Sequence, residues 1–107
     1  RDQAMFELLY STGLRVSEMI SLKIIDLIML DLEKDISIRI KGKGSRIRTI
    51  PLGRKAIKSL KNYINYSRNI FIKQGKNNTN IFLNYRGECI SRKGVWKIFK
   101  KYAEKLD

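Results

Sequence analysis

The segment Ile36-Ser37-Ile38-Arg39-Ile40 alternates strictly between apolar and polar residues. Side chains of a strand point to opposite faces in turn, so this segment buries its isoleucines together only as a half-buried strand. It runs into Lys41-Gly42-Lys43-Gly44, a glycine-rich turn, and then into residues 46–52, a partner strand ending at Pro51, the only proline. Glu33-Lys34-Asp35 is the expected turn before the first strand. The run Ile24-Ile25-Asp26-Leu27-Ile28-Met29-Leu30 reads either as a buried connection or as a strand. The expected fold class is α+β, with helices packed around a small antiparallel three-stranded sheet.

The helical segments follow from spacing. Ala4, Met5, Leu8 and Leu9 recur at helical intervals after Asp2, a candidate N-cap, and Gly13 is the expected stop. Val16 to Leu22 carries apolar Val16, Met19, Ile20 and Leu22, a second short helix. Arg54 to Gln74 is the longest, with Ile57, Leu60, Tyr63, Ile64 and Phe71 as its apolar stripe and Arg54, Lys55, Lys58 and Lys61 mostly off it. A polar loop at 75–80 precedes Ile81-Phe82-Leu83, a short buried extended segment, and a turn at 85–88. Ser91 is placed to cap a last helix reaching Leu106, with Val95, Phe99, Tyr102 and Ala103 as its apolar residues. No interior linker divides the 107 residues, which suffice for one domain with a modest core.

Charge narrows the function classes. Lys and Arg total 23 against 10 Asp and Glu, a formal net charge of +13. Such a balance on a small domain suits a polyanion partner, nucleic acid first, though basic membrane-surface proteins share it. One cysteine, Cys89, and no histidine exclude an internal disulfide and a zinc site of Cys and His ligands. The lone thiol fits a reducing, cytoplasmic setting. No apolar run is long enough to cross a bilayer. The first residues, Arg1-Asp2-Gln3-Ala4-Met5, have neither a starting methionine nor a signal-peptide core, the expectation being an excised domain.

Several cations are candidates for chemistry, each with a plainer alternative. Arg15, two residues past Gly13 at a helix-to-helix joint, can give two parallel hydrogen bonds to a phosphate, or pair with Glu18 or another acid. Lys43 between two glycines can swing into a site and give up a proton, or be a solvated hairpin tip. The two could reach one phosphate, which would make half of a strand-cleaving site. Lys41, Arg46 and Arg48 make a basic ridge beside the turn or a merely solvated strand face. Arg92, Lys93, Lys97, Lys100, Lys101 and Lys105 surround Trp96 on a helix that can lie in a DNA major groove, or simply cover a surface. The five tyrosines have no histidine to activate them, and structural roles are expected for each, with Tyr63 and Tyr102 on helix core faces.

Taken in order, these segments resemble the tyrosine recombinase family, which includes phage integrases and the Xer-type resolvases. The stretch from Arg1 through Thr12-Gly13-Leu14-Arg15-Val16-Ser17-Glu18 is similar to that family's first box. Lys41-Gly42-Lys43-Gly44-Ser45-Arg46-Ile47-Arg48 is similar to its lysine hairpin, and the likeness covers essentially the whole chain. The resemblance implies cleavage of DNA by a tyrosine that forms a 3′-phosphotyrosyl link and frees a 5′-hydroxyl, without metal or other cofactor. It makes Arg15 the arginine that binds the scissile phosphate, Lys43 the general acid for the leaving 5′-oxygen, and Glu18 a support for the arginine. Lys41, Arg46, Arg48, Arg92, Lys93, Lys97 and Lys101 become candidate DNA contacts, and double-stranded DNA the partner.

Residues 1–107 then correspond to the N-terminal half of a catalytic domain. The family's His-x-x-Arg box and nucleophilic tyrosine fall beyond Asp107, so the expectation is an incomplete, monomeric, DNA-binding piece of a parent that assembles as a tetramer on paired sites. The stretch from Arg15 to Lys43 is a few residues longer than is common in the family, at the Leu30–Asp35 turn. The alternative is a non-enzymatic basic nucleic-acid-binding module. The catalytic reading requires Arg15 at a helix joint, its guanidinium on the same face as the hairpin carrying Lys43. Coordinates placing the two on opposite faces would remove it.

Overall fold

The computed structural model describes residues 1–31, 35–42, 44, 46–74 and 79–106. Helix α1 spans Asp2–Thr12 and buries Ala4, Met5 and Leu8. It ends where the spacing predicts: Gly13 turns left-handed at φ 68° and donates its N–H to Leu9 O at 2.9 Å. Asp2 is not the cap. Arg1 occupies that position, and Asp2, the first helical residue, binds Arg1 Nε at 2.8 Å and accepts the Tyr102 hydroxyl at 3.1 Å. Helix α2 is shorter than its apolar pattern, Val16–Ile20, with Met19 buried.

The ambiguous run after α2 divides in two. Ile24–Asp26 forms a 3₁₀ turn, held by Lys23 N donating to Asp26 Oδ2 at 2.9 Å, and Leu27–Asp31 is strand β1. Strands β2, Asp35–Lys41, and β3, Ile47–Pro51, complete an antiparallel sheet in the order β1-β2-β3. Asp35, expected in the turn, begins β2 opposite Asp31; the rest of that turn lies outside the described residues. Ile36, Ile38 and Ile40 are all buried, as their alternation requires. Across β2, Leu27 and Ile50 flank Ile38, so one face of the sheet joins the core.

The segment 54–74 is helical throughout but not a single α-helix. Helix α3, Arg54–Asn62, widens into a π-type turn at Tyr63–Ser67 and continues as α4, Arg68–Gln74. The turn has a packing consequence. In a regular α-helix, residues five apart point about 140° from each other. Here Tyr63 and Arg68, five apart, are both buried, with 2% and 5% of their surfaces exposed. The wider i to i+5 turn brings them to the same side.

Both then bind the same strip of backbone. The Tyr63 hydroxyl donates to Ile81 O at 2.8 Å and accepts Leu83 N at 2.9 Å. Arg68 Nε donates to Ile81 O at 3.0 Å, and its Nη2 bonds Asn80 O. Ile81, Phe82 and Leu83 are fully buried, and the Tyr63 ring stacks on Phe82 at 5.4 Å. That strip pairs in turn with the chain leaving α2: Ile81 N donates to Leu22 O at 3.0 Å, and Ile24 N to Thr79 O at 2.8 Å.

Helix α5 spans Arg92–Leu106, and Ser91 caps it, its Oγ accepting Gly94 N at 2.9 Å. Val95 is fully buried and Phe99 packs on Phe6 at 5.0 Å between ring centres. Tyr102 is not on a core face. It is 38% exposed, its ring edge-on to Phe6 at 5.2 Å, and Ala103 is exposed as well. Beyond Phe99 the helix meets the Phe6 ring and Asp2 of α1 through Tyr102, and its last apolar positions stay exposed.

Burial raises the Tyr63 phenol from 10.0 to about 12. The folded value lies above the unfolded one, so the stability that the neutral phenol brings is complete below about pH 10 and is lost as pH rises toward 12. Tyr63→Phe leaves the buried Leu83 N–H unpaired, and we predict a loss of about 1–3 kcal/mol at neutral pH. Urea titrations at neutral and alkaline pH check both points, with the alkaline decline shallower in Tyr63→Phe than in the parent chain.

Candidate functional site

The corner between α1 and α2 is fixed by short-range bonds. Thr12 Oγ1 donates to Leu8 O at 2.7 Å and accepts Leu14 N at 3.2 Å, while Leu14 is buried. Arg15 follows in extended conformation at the N-cap of α2. A guanidinium has no acceptor with which to cap a helix. Glu18 makes the reciprocal bond instead, its Oε1 accepting the N–H of Arg15 at 3.0 Å. The other oxygen of the same carboxylate binds Arg48 Nη2 at 3.2 Å. One acid therefore closes the start of α2 and ties it to β3.

This pairing differs from the plain alternative for Arg15. Glu18 is engaged by the Arg15 backbone and by Arg48, not by the Arg15 guanidinium. The Arg15 side chain is exposed, and among the described residues no carboxylate holds it. Arg15 does lie at a helix joint, with a strand of the hairpin fastened to the same joint. Lys43 falls outside the described residues. Near it the turn shows Gly42 N donating to Arg46 O at 2.6 Å and Gly44 at φ 70°, a conformation that favours glycine.

The hairpin cations do not share one ridge. Lys41 lies opposite Ile47 and Arg48 opposite Ile40, so Lys41 and Arg48 are on opposite faces of the sheet. Arg46 precedes β3 and is exposed. Lys41 lines a hollow of about 510 Å³ with Ser17, Glu18, Lys23 and Arg39. Arg39 Nε is 3.6 Å from Asp26 Oδ1 there and has no hydrogen-bond partner.

On the other side of α2, Val16 meets the first turns of α5. Val16, Arg92, Lys93, Val95, Trp96 and Phe99 line a second hollow, of about 410 Å³. Arg92, Lys93, Lys97 and Lys101 are all exposed. The structure thus gathers Arg15, Glu18, Arg48, Arg92 and Lys93 around the start of α2. Lys97 and Lys101 extend the charge along α5, away from that joint.

Two features escaped sequence reasoning. The Glu18–Arg48 pair spans 30 residues, and no local pattern announces it. Buried Arg68 looks like one more cation of a basic helix until the π-type turn is known. Among the described residues, no group of three or more His, Cys, Asp or Glu could hold a metal, and no helix is long and apolar enough to cross a membrane.

Comparison with known proteins follows the same outline. The sequence profile described as "Phage integrase family" matches residues 1–107. "Tyrosine recombinase XerC" of Roseiflexus castenholzii is 43% identical over 107 residues, covering 99% of this chain and 33% of the relative. "Tyrosine recombinase XerD" of Staphylococcus epidermidis strain ATCC 35984 is 42% identical over 108 residues, covering 100% of this chain and 35% of its own length. The chain therefore spans about a third of these curated relatives. A crystal structure of XerH site-specific recombinase bound to palindromic difH substrate, a post-cleavage complex, matches with a TM-score of 0.69 at 29% identity, over 96% of this chain and 29% of that one.

The Glu18 carboxylate gives a stability prediction. Glu18→Ala removes the cap and the ion pair together and is expected to cost about 1 kcal/mol or somewhat more. Arg48→Ala leaves the cap and should cost well under about 1 kcal/mol, because the pair is solvated. Urea denaturation of both variants checks this, and equal losses would contradict the division of work between the two oxygens.

Proposed function

The chain belongs to the phage integrase family, and on that premise we propose that it grips the phosphodiester to be cut in a site-specific DNA recombinase. The observation that carries this reading is the exposed Arg15 guanidinium, unclaimed by any described carboxylate, beside a strand that Glu18 holds in place. A planar guanidinium on a rigid corner suits two phosphate oxygens at once, and it meets the charge that builds on them as the bond breaks.

In the proposed reaction a tyrosine oxygen attacks phosphorus, its phenol proton passing to water, and the bond from phosphorus to the 5′-oxygen breaks. The 3′ side stays on the tyrosine as a phosphodiester. The 5′-oxygen takes a proton from Lys43 and leaves as a hydroxyl. Arg15 binds the non-bridging oxygens, and Glu18 acts only by holding Arg15 and β3. Lys41, Arg46, Arg48, Arg92, Lys93, Lys97 and Lys101 serve as contacts to the phosphates of duplex DNA, and α5 is the element offered to the groove.

The attacking tyrosine is proposed to lie outside these 107 residues. Tyr63 is in the core with its hydroxyl bonded on both sides. Tyr10, Tyr66 and Tyr85 are exposed, the Tyr102 hydroxyl is bonded to Asp2, and these 107 residues hold no histidine to activate any of them. On this account the 107 residues bind DNA and do not cleave it.

Two experiments test the reading. Binding of the chain to duplex DNA should weaken steeply with salt, each neutralised phosphate adding about −0.9 to the slope of log K against log salt. Replacing Arg92, Lys97 and Lys101 together by alanine should flatten that slope, and an unchanged slope would take α5 off the DNA. In a full-length recombinase carrying this sequence, Arg15→Ala should lower cleavage by about a hundredfold to a thousandfold. Lys43→Ala should slow cleavage too, and a 5′-thio leaving group, which needs no proton, should relieve that defect. A thio substrate cut just as slowly by Lys43→Ala would end the general-acid role.

A further inference from the structure

Trp96 is the only tryptophan, and 69% of it is exposed. The hollow beside it has an apolar floor and a cationic rim. Val16, Val95 and Phe99 form the floor, Arg92 and Lys93 the rim, and among the described residues no carboxylate lines it. Its volume of about 410 Å³ falls within the range of clefts that take small ligands, roughly 300–1,000 Å³. Val16 directly follows Arg15 in the chain, so the hollow begins one residue from the proposed phosphate-holding arginine.

We infer that this hollow receives an unpaired nucleobase of the strand whose phosphate Arg15 holds, stacked on the Trp96 indole. The inference rests on the proposed DNA reading and adds a base-binding site to it. Three considerations select a base in single-stranded form. A paired base shows a groove only its edge, whereas an indole face offers its surface to the face of a ring. The site is concave, so it accepts a group and does not itself insert. Breaking a strand of one duplex and joining it to another also requires bases beside the break to leave their partners. Aromatic faces set among cations bind such bases with little sequence preference, since every base has a π-face. Arg92 and Lys93 would follow the backbone while the ring enters the hollow.

Tryptophan emission reads this site alone, because no second tryptophan exists. Three probes of equal length are compared at low salt: a thymidine single strand, an abasic strand with the same phosphates, and a fully paired duplex. The thymidine strand should quench the emission strongly, the abasic strand should bind without quenching, and the duplex, whose paired bases cannot enter the hollow, should quench it far less. Trp96→Ala should bind the thymidine strand about tenfold more weakly and the abasic strand as before, and Trp96→Phe should keep most of the difference. Trp96 is largely exposed, so these substitutions spare the core, and far-UV circular dichroism verifies it. Equal quenching by the abasic strand or the duplex would overturn the base site, as would undiminished thymidine affinity in Trp96→Ala; DNA binding would survive either result. Failure to bind any of the three probes would overturn the DNA reading along with the site.

Discussion

Two side chains of one helical segment hold the backbone on which the candidate site is built. Tyr63 and Arg68 bind the carbonyls of Asn80 and Ile81 and the amide of Leu83, inside the core. The strip they fix pairs with Leu22 and Ile24, immediately after α2. Helix α2 is only five residues long and cannot set its own position. It is located from its far end by this strip and from its near end by the Thr12-Gly13-Leu14 corner. A buried arginine is costly unless its donors are satisfied, and here carbonyl groups, not an acid, satisfy them. That leaves the protein's few carboxylates for other work.

Carboxylates are scarce on a chain of net charge +13, and their use shows what the surface is arranged to do. Glu18 engages one backbone amide and Arg48 but leaves the Arg15 guanidinium uncovered. An acid paired directly with Arg15 would compete with phosphate for the same fork of donors. Placing the acid one bond away keeps the corner rigid and the cation available. The exposed cations of α5 continue this positive surface along the helix.

Much of the fold was legible because its signals are local. The alternation at 36–40 fixes β2 and its buried face, Gly13 stops α1, and Ser91 caps α5. The failures were also physical. Asp2 looks like a cap, but the helix starts one residue earlier, and the acid instead joins Arg1 to Tyr102. The apolar pattern of α5 runs through Tyr102 and Ala103, yet α1 meets Tyr102 with Phe6 and Asp2 while Ala103 stays exposed, and periodicity alone cannot say how far a partner extends. The π-type turn changes which residues face inward and so hides Arg68. For the site, the corner at Arg15 follows from Gly13, whereas Glu18 meets Arg48 only through the tertiary packing of β3 beside α2. The strand register, which no composition reveals, puts Lys41 and Arg48 on different faces.

The account stands or falls on where a phosphate first engages the protein. Side-chain Nε–Hε resonances of the arginines, followed by NMR while a short duplex is added at low salt, report this residue by residue. The account predicts a large, saturable shift for Arg15 and almost none for buried Arg68. The Arg15 shift should vanish on addition of salt together with binding. An Arg15 resonance that stays still while those of α5 move to saturation would show DNA held elsewhere and would contradict the assignment of Arg15 to the phosphate.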